Sequence, residues 1–486
     1  MKKNFKLVLG LILLTALVLR LFKLQELFFF TMDESLIAFR ALGLFKYHRP
    51  FLIGGGSPLQ VHLPPYFYYL ASILLFPFNF NPLGWGISGA LIGVITVFLL
   101  FKLTKKLFNQ STALVASILY ATSFTSVFFD RHFWPMSLNP IYTLASMLLL
   151  LKLDQKKSWV YFALAGIMVM AITSDPSNIP LILTILTYIF VRRKKLSLTH
   201  TYYAGLSALI VFFTPLFLFD IRHQWVNFSA VTKLFEKTSM LSFDYQRLID
   251  ALLLVPRSLI RFYHSSQTNL VELHSYCIPF ADARQHNLSV ILVIFAIGLL
   301  IWFIKTTQHT FLKYLLIFYF FGITLFGVLG YSIFDHYLTG LLPIFAIITA
   351  FTLSSLPKKL GYLVLASLIM LNLFQISKVN NPYGLKNKQD IVNWSLEKLG
   401  DEPFYLDSIS KCHRENGLRY LFELTDNPPQ QSFMDPNFFW LYQDPPALKT
   451  PNKTLLVTDK PFALENQILY QQSFGALNAY IYQSTH

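Results

Sequence analysis

Residues 1–34 read MKKNFKLVLGLILLTALVLRLFKLQELFFFTMDE. A basic pair, Lys2-Lys3, precedes an apolar run over residues 5–22, and an acidic pair, Asp33-Glu34, follows after a short connection. The run is close to the roughly 20 residues that a helix needs to cross a bilayer. Because Lys and Arg favour the cytoplasmic side, the stretch predicts a first span that starts inside and places its acids outside. No small-residue cleavage site follows the run, so we interpret it as a retained anchor.

The same alternation of basic and acidic loops continues toward residue 380. One set of loops is rich in Lys and Arg: Lys2-Lys3, Lys102 to Lys106, Lys152 to Lys157, Arg192 to Lys195, Lys305 to Lys313 and Lys358-Lys359. The other set carries Asp, His and isolated Arg: Asp33-Glu34, Asp130-Arg131-His132, Asp175, Asp220-Arg222-His223 and Asp335-His336. The pattern assigns the basic loops to the cytoplasm and predicts that all candidate chemistry lies on the outer face.

Composition and charge narrow the class of protein. A soluble domain rarely sustains 54% hydrophobic and 16% aromatic residues over 486 positions. The net charge of +15 is spread over short loops between apolar runs, which argues against nucleic acid as a partner. Cys277 and Cys412 are too few for a disulfide framework or a cysteine metal site. Both are predicted outside, where pairing is chemically permitted, and the sequence leaves open whether they pair.

The predicted fold is an all-α polytopic membrane protein with about eleven spans. The spans are residues 5–22, 83–101, 112–129, 137–153, 159–174, 178–191, 201–219, 288–305, 312–333, 337–355 and 360–377. Residues 64–80 are apolar but short, and counting them as a span would place Arg192 to Lys195 outside. We therefore predict an interfacial or re-entrant helix there. Two long outer loops result, about 23–82 and 220–287, and the amphipathic stretch 245–263 in the second is expected to lie on the membrane surface.

The composition changes after about residue 380. Residues 385–486 are rich in Asn, Gln, Asp and Pro, with a helical piece at 391–399 and strand-like runs at 454–457 and 479–482. We predict a transmembrane module over residues 1–380 and a small α/β domain over residues 385–486. The expected location is the plasma or inner membrane, with the N-terminus cytoplasmic and the C-terminal domain extracytoplasmic.

The acidic pair Asp33-Glu34 admits two interpretations. Acids favour the first turn of a helix, where free N–H groups and the helix dipole stabilise negative charge, so the pair could be a cap. A carboxylate held near an apolar surface also tends to have a raised pKa, which suits a general base for a hydroxyl or amine nucleophile. The residues alone do not decide between these roles.

The order of these features resembles the GT-C glycosyltransferases. The resemblance is to bacterial and archaeal relatives of protein O-mannosyltransferases and of the lipid A aminoarabinose transferase. It rests on five motifs in order: Met32-Asp33-Glu34, His62-Leu63-Pro64-Pro65-Tyr66, Arg131-His132-Phe133-Trp134-Pro135, Phe219-Asp220-Ile221-Arg222-His223 and Tyr337-Leu338-Thr339-Gly340-Leu341-Leu342-Pro343.

This resemblance implies an enzyme that takes a sugar from a polyprenyl-phosphate donor and transfers it with inversion. No nucleotide sugar is then needed outside the cell. Asp33 corresponds to the outer-loop aspartate that acts as base or positions the acceptor, and Glu34 to a second acid. The acceptor stays open between protein, lipid and cell-envelope glycan.

A departing lipid phosphate gains negative charge, so fixed cations near the membrane surface would lower the barrier. Arginine suits this role because its planar fork binds two phosphate oxygens. Arg222, with His223, is the preferred donor-phosphate candidate, and Arg131, with His132, is a second that could instead shape the acceptor side near Asp33. Each arginine could equally pair with the adjacent aspartate or reach to the headgroups.

Other polar and aromatic residues are weaker candidates. His336 could contact a headgroup or acceptor, or cap a helix. Tyr66 opens an aromatic cluster that belongs to an interfacial belt or flanks a sugar or prenyl chain. No metal site is predicted, although a divalent ion could find ligands in the second outer loop. The polar candidates of that loop are Arg261, His264, Glu272, His274 and Arg284.

Two functions of other classes remain as alternatives. A flippase or transporter of lipid-linked sugars would carry polar or charged groups along a path inside its spans. The predicted spans are nearly free of such groups, which counts against transport. A non-catalytic envelope assembly protein would depend on residues 385–486 rather than on Asp33.

Overall fold

The computed structural model describes residues 2–55, 61–237, 245–263, 289–329, 335–409, 417–442, 451–461 and 467–483. Each of the eleven apolar segments predicted as spans is mostly helical where described. The helices up to residue 378 are α1 (Lys2–Leu21), α2 (Leu24–Leu27), α3 (Met32–Phe45), α4 (Tyr66–Leu75), α5 (Leu83–Leu107), α6 (Gln110–Thr122), α7 (Phe124–Asp130), α8 (Asn139–Leu150), α9 (Ser158–Ser174), α10 (Ile179–Arg192), α11 (Leu198–Arg222), α12 (Val226–Lys237), α13 (Tyr245–Arg261), α14 (Val290–Thr306), α15 (Thr310–Val328), α16 (Leu342–Ser355) and α17 (Lys358–Lys378). Short 3-10 turns lie at Phe76–Phe78, Pro135–Leu138, Leu153–Gln155, Pro176–Asn178, Arg193–Lys195 and Asp335–Leu341.

Several of these helices are long and apolar enough to cross a membrane. Among the described residues there are five: Leu83–Leu107, Leu198–Arg222, Thr310–Val328, His336–Ser355 and Lys358–Lys378. The pair α6 and α7, bent by 60°, makes a sixth if it is one span. The predicted helical membrane architecture is confirmed, and the total of eleven spans stays a prediction.

Helix α4 is the ambiguous apolar segment near residues 64–80. It contains ten residues, so at 1.5 Å per residue it reaches only about 15 Å, half the thickness of a bilayer core. Two prolines, Pro64-Pro65, precede it, and the 3-10 turn Phe76–Phe78 follows. Its length matches an interfacial or re-entrant helix better than a span.

The bend between α6 and α7 lies at Ser123, and hydrogen bonds from neighbouring helices satisfy polar groups there. The Ser123 hydroxyl donates to the carbonyl of Phe262 at 2.7 Å, and the Asn372 side chain accepts from the amide of Phe124 at 2.7 Å. Helix ends leave backbone groups that need partners, and these bonds supply them. The bend directs the residues after α7, including His132, toward the start of α3.

The C-terminal part folds as a sheet with helices. Its elements are α18 (Leu385–Leu399), β1 (Phe404–Ile409), α19 (Gly417–Glu423), β2 (Gln431–Ser432), α20 (Asp435–Phe438), the 3-10 turn Phe439–Leu441, β3 (Lys453–Thr458), β4 (Ile468–Phe474) and β5 (Leu477–Gln483). The strand order is β2-β1-β3-β5-β4. Strand β1 pairs in parallel with β2 and β3, while β5 pairs antiparallel with β3 and β4. The predicted small α/β unit is confirmed.

Two features hold this domain together. The β4–β5 hairpin turns at Gly475, whose φ of +61° favours glycine, and a Cβ there would lie 2.3 Å from the Asn387 side chain. Helix α18 packs on the sheet through Trp394, whose ring lies 5.8 Å from that of Phe474. Cys277 and Cys412 lie outside the described residues.

Candidate functional site: an acidic helix start beneath the C-terminal domain

The acidic pair lies in the first turn of α3. Thr31 is the residue before the helix, and the Glu34 carboxylate accepts from both the amide and the hydroxyl of Thr31, with the amide at 2.6 Å. This reciprocal capping box satisfies donors that the helix start leaves free. Of the two interpretations of the acidic pair, the helix cap therefore applies to Glu34.

Glu34 is buried and has a second partner in His132. The Nδ1 atom of His132 lies 3.2 Å from the Glu34 carboxylate, and its ring packs 5.1 Å from Phe29 and 5.3 Å from Phe128. Burial opposes ionisation of Glu34, but the bonds and charge from His132, with those from Thr31, outweigh it and lower its pKa. Glu34 is thus buried and held ionised, with its carboxylate bonded to Thr31 and His132.

Asp33 has the opposite environment. Its side chain is exposed, although the surrounding protein crowds it. This desolvation, with the adjacent negative charge of Glu34, raises the pKa of Asp33 to about 6. A carboxylate with such a pKa accepts a proton near neutral pH more readily than an ordinary aspartate does. Of the two acids, Asp33 has the accessibility and proton affinity of a general base.

Arg40, which none of the sequence motifs identifies, adds a cation to this neighbourhood. Its guanidinium lies 5.0 Å from the ring of Tyr68 and 5.3 Å from that of Phe51, and donates to the carbonyl of Ile53 at 2.7 Å. The charges of Asp33 and Arg40 both act on the Tyr68 hydroxyl. Its spacing from Asp33 could have identified it, since residues seven apart lie on one face of a helix.

Hydrogen bonds through Asn227 connect His62 to Asp220 near the end of α11. The amide of His62 donates to the Asn227 side chain at 3.0 Å, and the amide of Asn227 donates to the Asp220 carboxylate at 3.0 Å. Desolvation and the charge of Arg40 lower the pKa of His62, while Asp220 opposes them. The charges of Arg40 and Asp220 therefore both act on His62.

Arg222 and His223 lie at this end of α11, and both are exposed. The His223 ring stacks on Phe219 at 4.0 Å, and its Nδ1 atom lies 2.8 Å from the Phe219 carbonyl. Asp220 does not pair with Arg222 but caps α12 through the amides of Asn227 and Phe228. Of the residues that the structure describes, none forms an ion pair with Arg222, so its guanidinium can reach a ligand.

Arg131 is buried and directed away from this rim. Its guanidinium donates to the carbonyls of Leu19, Arg20 and Phe22 at 2.7, 3.2 and 3.1 Å. These are the carbonyls that the end of α1 leaves without helical partners, and a cation stabilises such an end. Arg131 therefore caps the first apolar helix, and the adjacent Asp130 pairs with Arg20 instead.

His336 and Tyr66 lie outside the first contact layer around Asp33. The His336 ring lies 5.1 Å from Trp134, which in turn lies 5.7 Å from His132. The Tyr66 hydroxyl donates to the carbonyl of Val211 on α11. The structure thus brings Asp33, Glu34 and His132 together, with His336 behind them, and uses Tyr66 to join α4 to α11.

No group of three or more metal-binding side chains occurs within the described ranges. The loop candidates His264, Glu272, His274 and Arg284 fall outside those ranges. Arg261 is described, at the end of α13, and is buried; its carbonyl accepts from the Thr125 hydroxyl at 2.7 Å. The chemistry that the described residues offer is acid–base and cationic.

Known proteins are similar to this chain in sequence over part of its length and in fold over nearly all of it. The family model of the dolichyl-phosphate-mannose-protein mannosyltransferases matches residues 62–217. ArnT of Cupriavidus metallidurans bound to undecaprenyl phosphate is 13% identical, with 97% of each chain covered and a TM-score of 0.60; its apo structure gives 12%, 97% of each chain and 0.59. An oligosaccharyltransferase of Archaeoglobus fulgidus is 12% identical over 92% of this chain and 67% of that chain, with a TM-score of 0.47. No curated protein matches the sequence.

These similarities confirm the resemblance to GT-C glycosyltransferases. The likeness to ArnT shows that the chain has the same fold, including the C-terminal unit. The sequence match covers α4 to most of α11 and does not include Asp33. The role of the helix start at Asp33 therefore rests on its own geometry.

Proposed function

We propose that the protein is a GT-C glycosyltransferase that moves a sugar from a polyprenyl-phosphate donor to an acceptor at the outer membrane face. The exposure of Asp33, together with its raised pKa beside a buried, ionised Glu34, carries this proposal. The ArnT structure with undecaprenyl phosphate supports the class of donor. The charge pattern of the loops supports the outer face and a cytoplasmic N-terminus.

The reaction assigns one step to Asp33. Its carboxylate accepts the proton of an acceptor hydroxyl or amine while that oxygen or nitrogen attacks the anomeric carbon of the sugar. The bond from the anomeric carbon to the phosphate oxygen breaks, and its electron pair leaves with the lipid phosphate. Attack opposite the leaving group inverts the anomeric carbon.

The growing charge on the phosphate needs a cation that is fixed before the reaction. Arg222 is the exposed candidate at the end of α11, and Arg40 is the candidate close to Asp33. Arg222 and Arg40 both border the stretch that contains His62. The pKa of His62 is lowered by the charge of Arg40 and raised by that of Asp220, which lies near Arg222 on α11. We assign the donor phosphate to this stretch and the acceptor to the side of Asp33.

The test supplies radiolabelled polyprenyl-phosphate sugars to the purified protein in detergent. Asp33→Asn should lose at least about 100-fold in transfer rate, because general-base catalysis contributes roughly 10²–10⁴-fold. Asp154→Asn is the matched control, since it removes an exposed carboxylate from a basic loop. Equal transfer by wild type and Asp33→Asn, or no transfer by wild type with any donor and acceptor fraction, would refute the proposal.

A further inference from the structure

The segment between α2 and α3, residues 28–31, is held by the C-terminal domain. It contains no helix or strand of its own, so its main-chain carbonyls need other partners. The helix α18 and the residues just before it supply them. The bonds are Lys388 Nζ to the carbonyls of Phe29 at 3.1 Å and Phe30 at 2.8 Å, Leu385 N to Phe28 O at 2.7 Å, and Asn381 Nδ2 to Leu27 O at 3.2 Å.

Lys388 is an unusual donor because its side chain is only 1% exposed. Removing an ammonium group from water is costly unless hydrogen bonds compensate it. A neutral side chain would avoid this cost, so packing alone does not explain a lysine here. The two carbonyls that Lys388 binds belong to consecutive residues, and the ammonium therefore fixes the direction of the chain.

The backbone that Lys388 holds is in a conformation that phenylalanine seldom adopts. Phe30 has a φ of +50°, in the left-handed region that costs a non-glycine residue about 1 kcal/mol or more. The carbonyl of Phe30 also lies against Gly417 of α19, where a Cβ would approach it to 2.6 Å. Two elements of the C-terminal domain thus stabilise the strained residue.

Thr31, which caps α3, follows Phe30 directly, and Asp33 lies two residues further. A rotation of the Phe30 peptide would move the Thr31 amide away from Glu34 and tilt the first turn of α3. The direction of the Asp33 carboxyl depends on that turn. Lys388 is therefore coupled to Asp33 through the main chain, without contacting it.

We infer that Lys388 is a positioning residue that holds the Asp33 carboxylate at its working geometry, so that the C-terminal domain is part of the transfer machinery. This inference rests on the proposed function. A purely structural lysine would affect stability alone. A positioning residue also affects the transfer rate in molecules that remain folded.

Lys388→Met and Lys386→Met form a matched pair. Both remove one positive charge from the first turn of α18, but Lys386 is exposed, and methionine suits the buried site of Lys388. Lys388→Met should lower kcat by about 10–100-fold, the effect of a misplacement near 1 Å, with an unchanged donor KM. Lys386→Met should match wild type, and Lys388→Arg should recover part of the loss.

The pH profile gives a second readout. Desolvation and the charge of Glu34 raise the pKa of Asp33 to about 6. Among the described residues, Tyr68 and Arg40 on this side and His132 against Glu34 are further titratable or charged groups nearby. If the first turn of α3 tilts in Lys388→Met, Asp33 gains water and its pKa falls. The acidic limb of the profile should then move to lower pH, a shift that a loss of folded protein does not cause.

Hydrogen–deuterium exchange tests the inference without an activity assay. Amides of residues 31–36 should exchange about tenfold faster in Lys388→Met than in Lys386→Met, because bonds to a charged donor restrain this segment. Unchanged exchange, or Asp33-dependent transfer that is insensitive to Lys388→Met, overturns the inference. A wild type without transfer but with the exchange difference intact refutes the proposed function alone.

Discussion

Breaking the ion pair between Arg20 and Asp130 by removing one partner should destabilise the helical part strongly, because both charges are buried. The two Arg20 nitrogens Nε and Nη2 lie 2.8 and 2.6 Å from one Asp130 oxygen. The side chains are 0% and 4% exposed. Arg20 also donates to the carbonyls of Ala16 and Ala121. The pair thus joins α1 to the bent pair α6 and α7.

Asp130→Asn removes the negative charge and leaves the buried guanidinium of Arg20 without a counter-ion. Breaking a buried pair in this way costs about 3–5 kcal/mol of unfolding free energy. Arg192 and Asp154 provide the comparison, because they pair at 2.7 Å with 39% and 54% exposure. An exposed pair contributes only about 0–1 kcal/mol, so Asp154→Asn should have little effect.

The assay is denaturant or thermal unfolding of the wild type and each purified variant in one detergent, followed by a probe of helix content. The double variant Arg20→Met with Asp130→Leu should recover much of the loss, since apolar residues of similar volume often replace a buried pair at little cost. Equal losses from Asp130→Asn and Asp154→Asn would refute the reasoning, as would a double variant no more stable than Asp130→Asn.

Three further predictions concern neighbouring residues. Gly93→Ala should cost about 1–3 kcal/mol of unfolding free energy, because its Cβ would lie 2.3 Å from Arg20 Nε; the same unfolding assay measures it. Glu34→Gln should cost about 1–2 kcal/mol through the weakened Thr31 cap, while Glu34→Ala should cost more. The transfer rate should rise with pH through about 6 and level off above it, because Asp33 must be ionised to accept a proton and its pKa is raised to that value; a flat profile from pH 5 to 8 would contradict this role.

The helical fold could be predicted from the sequence because a bilayer imposes a simple length requirement. The run at residues 201–219, for example, lies inside α11, and the short apolar segment after Pro64-Pro65 forms the short α4. The C-terminal domain was less predictable. Its helix was expected at residues 391–399 but begins at Leu385, since the polar first turn is stabilised by contacts with residues 26–30 that no local pattern reveals.

The cations of the candidate site were harder to assign than its acids. Arg131 and Arg222 both follow an aspartate near the end of an apolar run, so the sequence offers no basis for telling them apart. In the structure Arg131 turns inward to cap α1, and Arg222 remains exposed. Whether a loop side chain turns inward depends on which carbonyls lie within its reach. That is a tertiary property.

The different roles of Asp33 and Glu34 follow from the same argument. Adjacent residues on a helix point about 100° apart, so packing one face of α3 buries one acid and leaves the other exposed. The buried residues of α3 also include Phe39, whose ring lies 5.1 Å from Tyr420 of α19. The sequence places both acids in a first turn but does not specify which of them is covered, because the residue that contacts Glu34, His132, is 98 positions away. The contact with His132 therefore marks Glu34 as the buried carboxylate, and without it Glu34 would lose the environment that distinguishes it from Asp33.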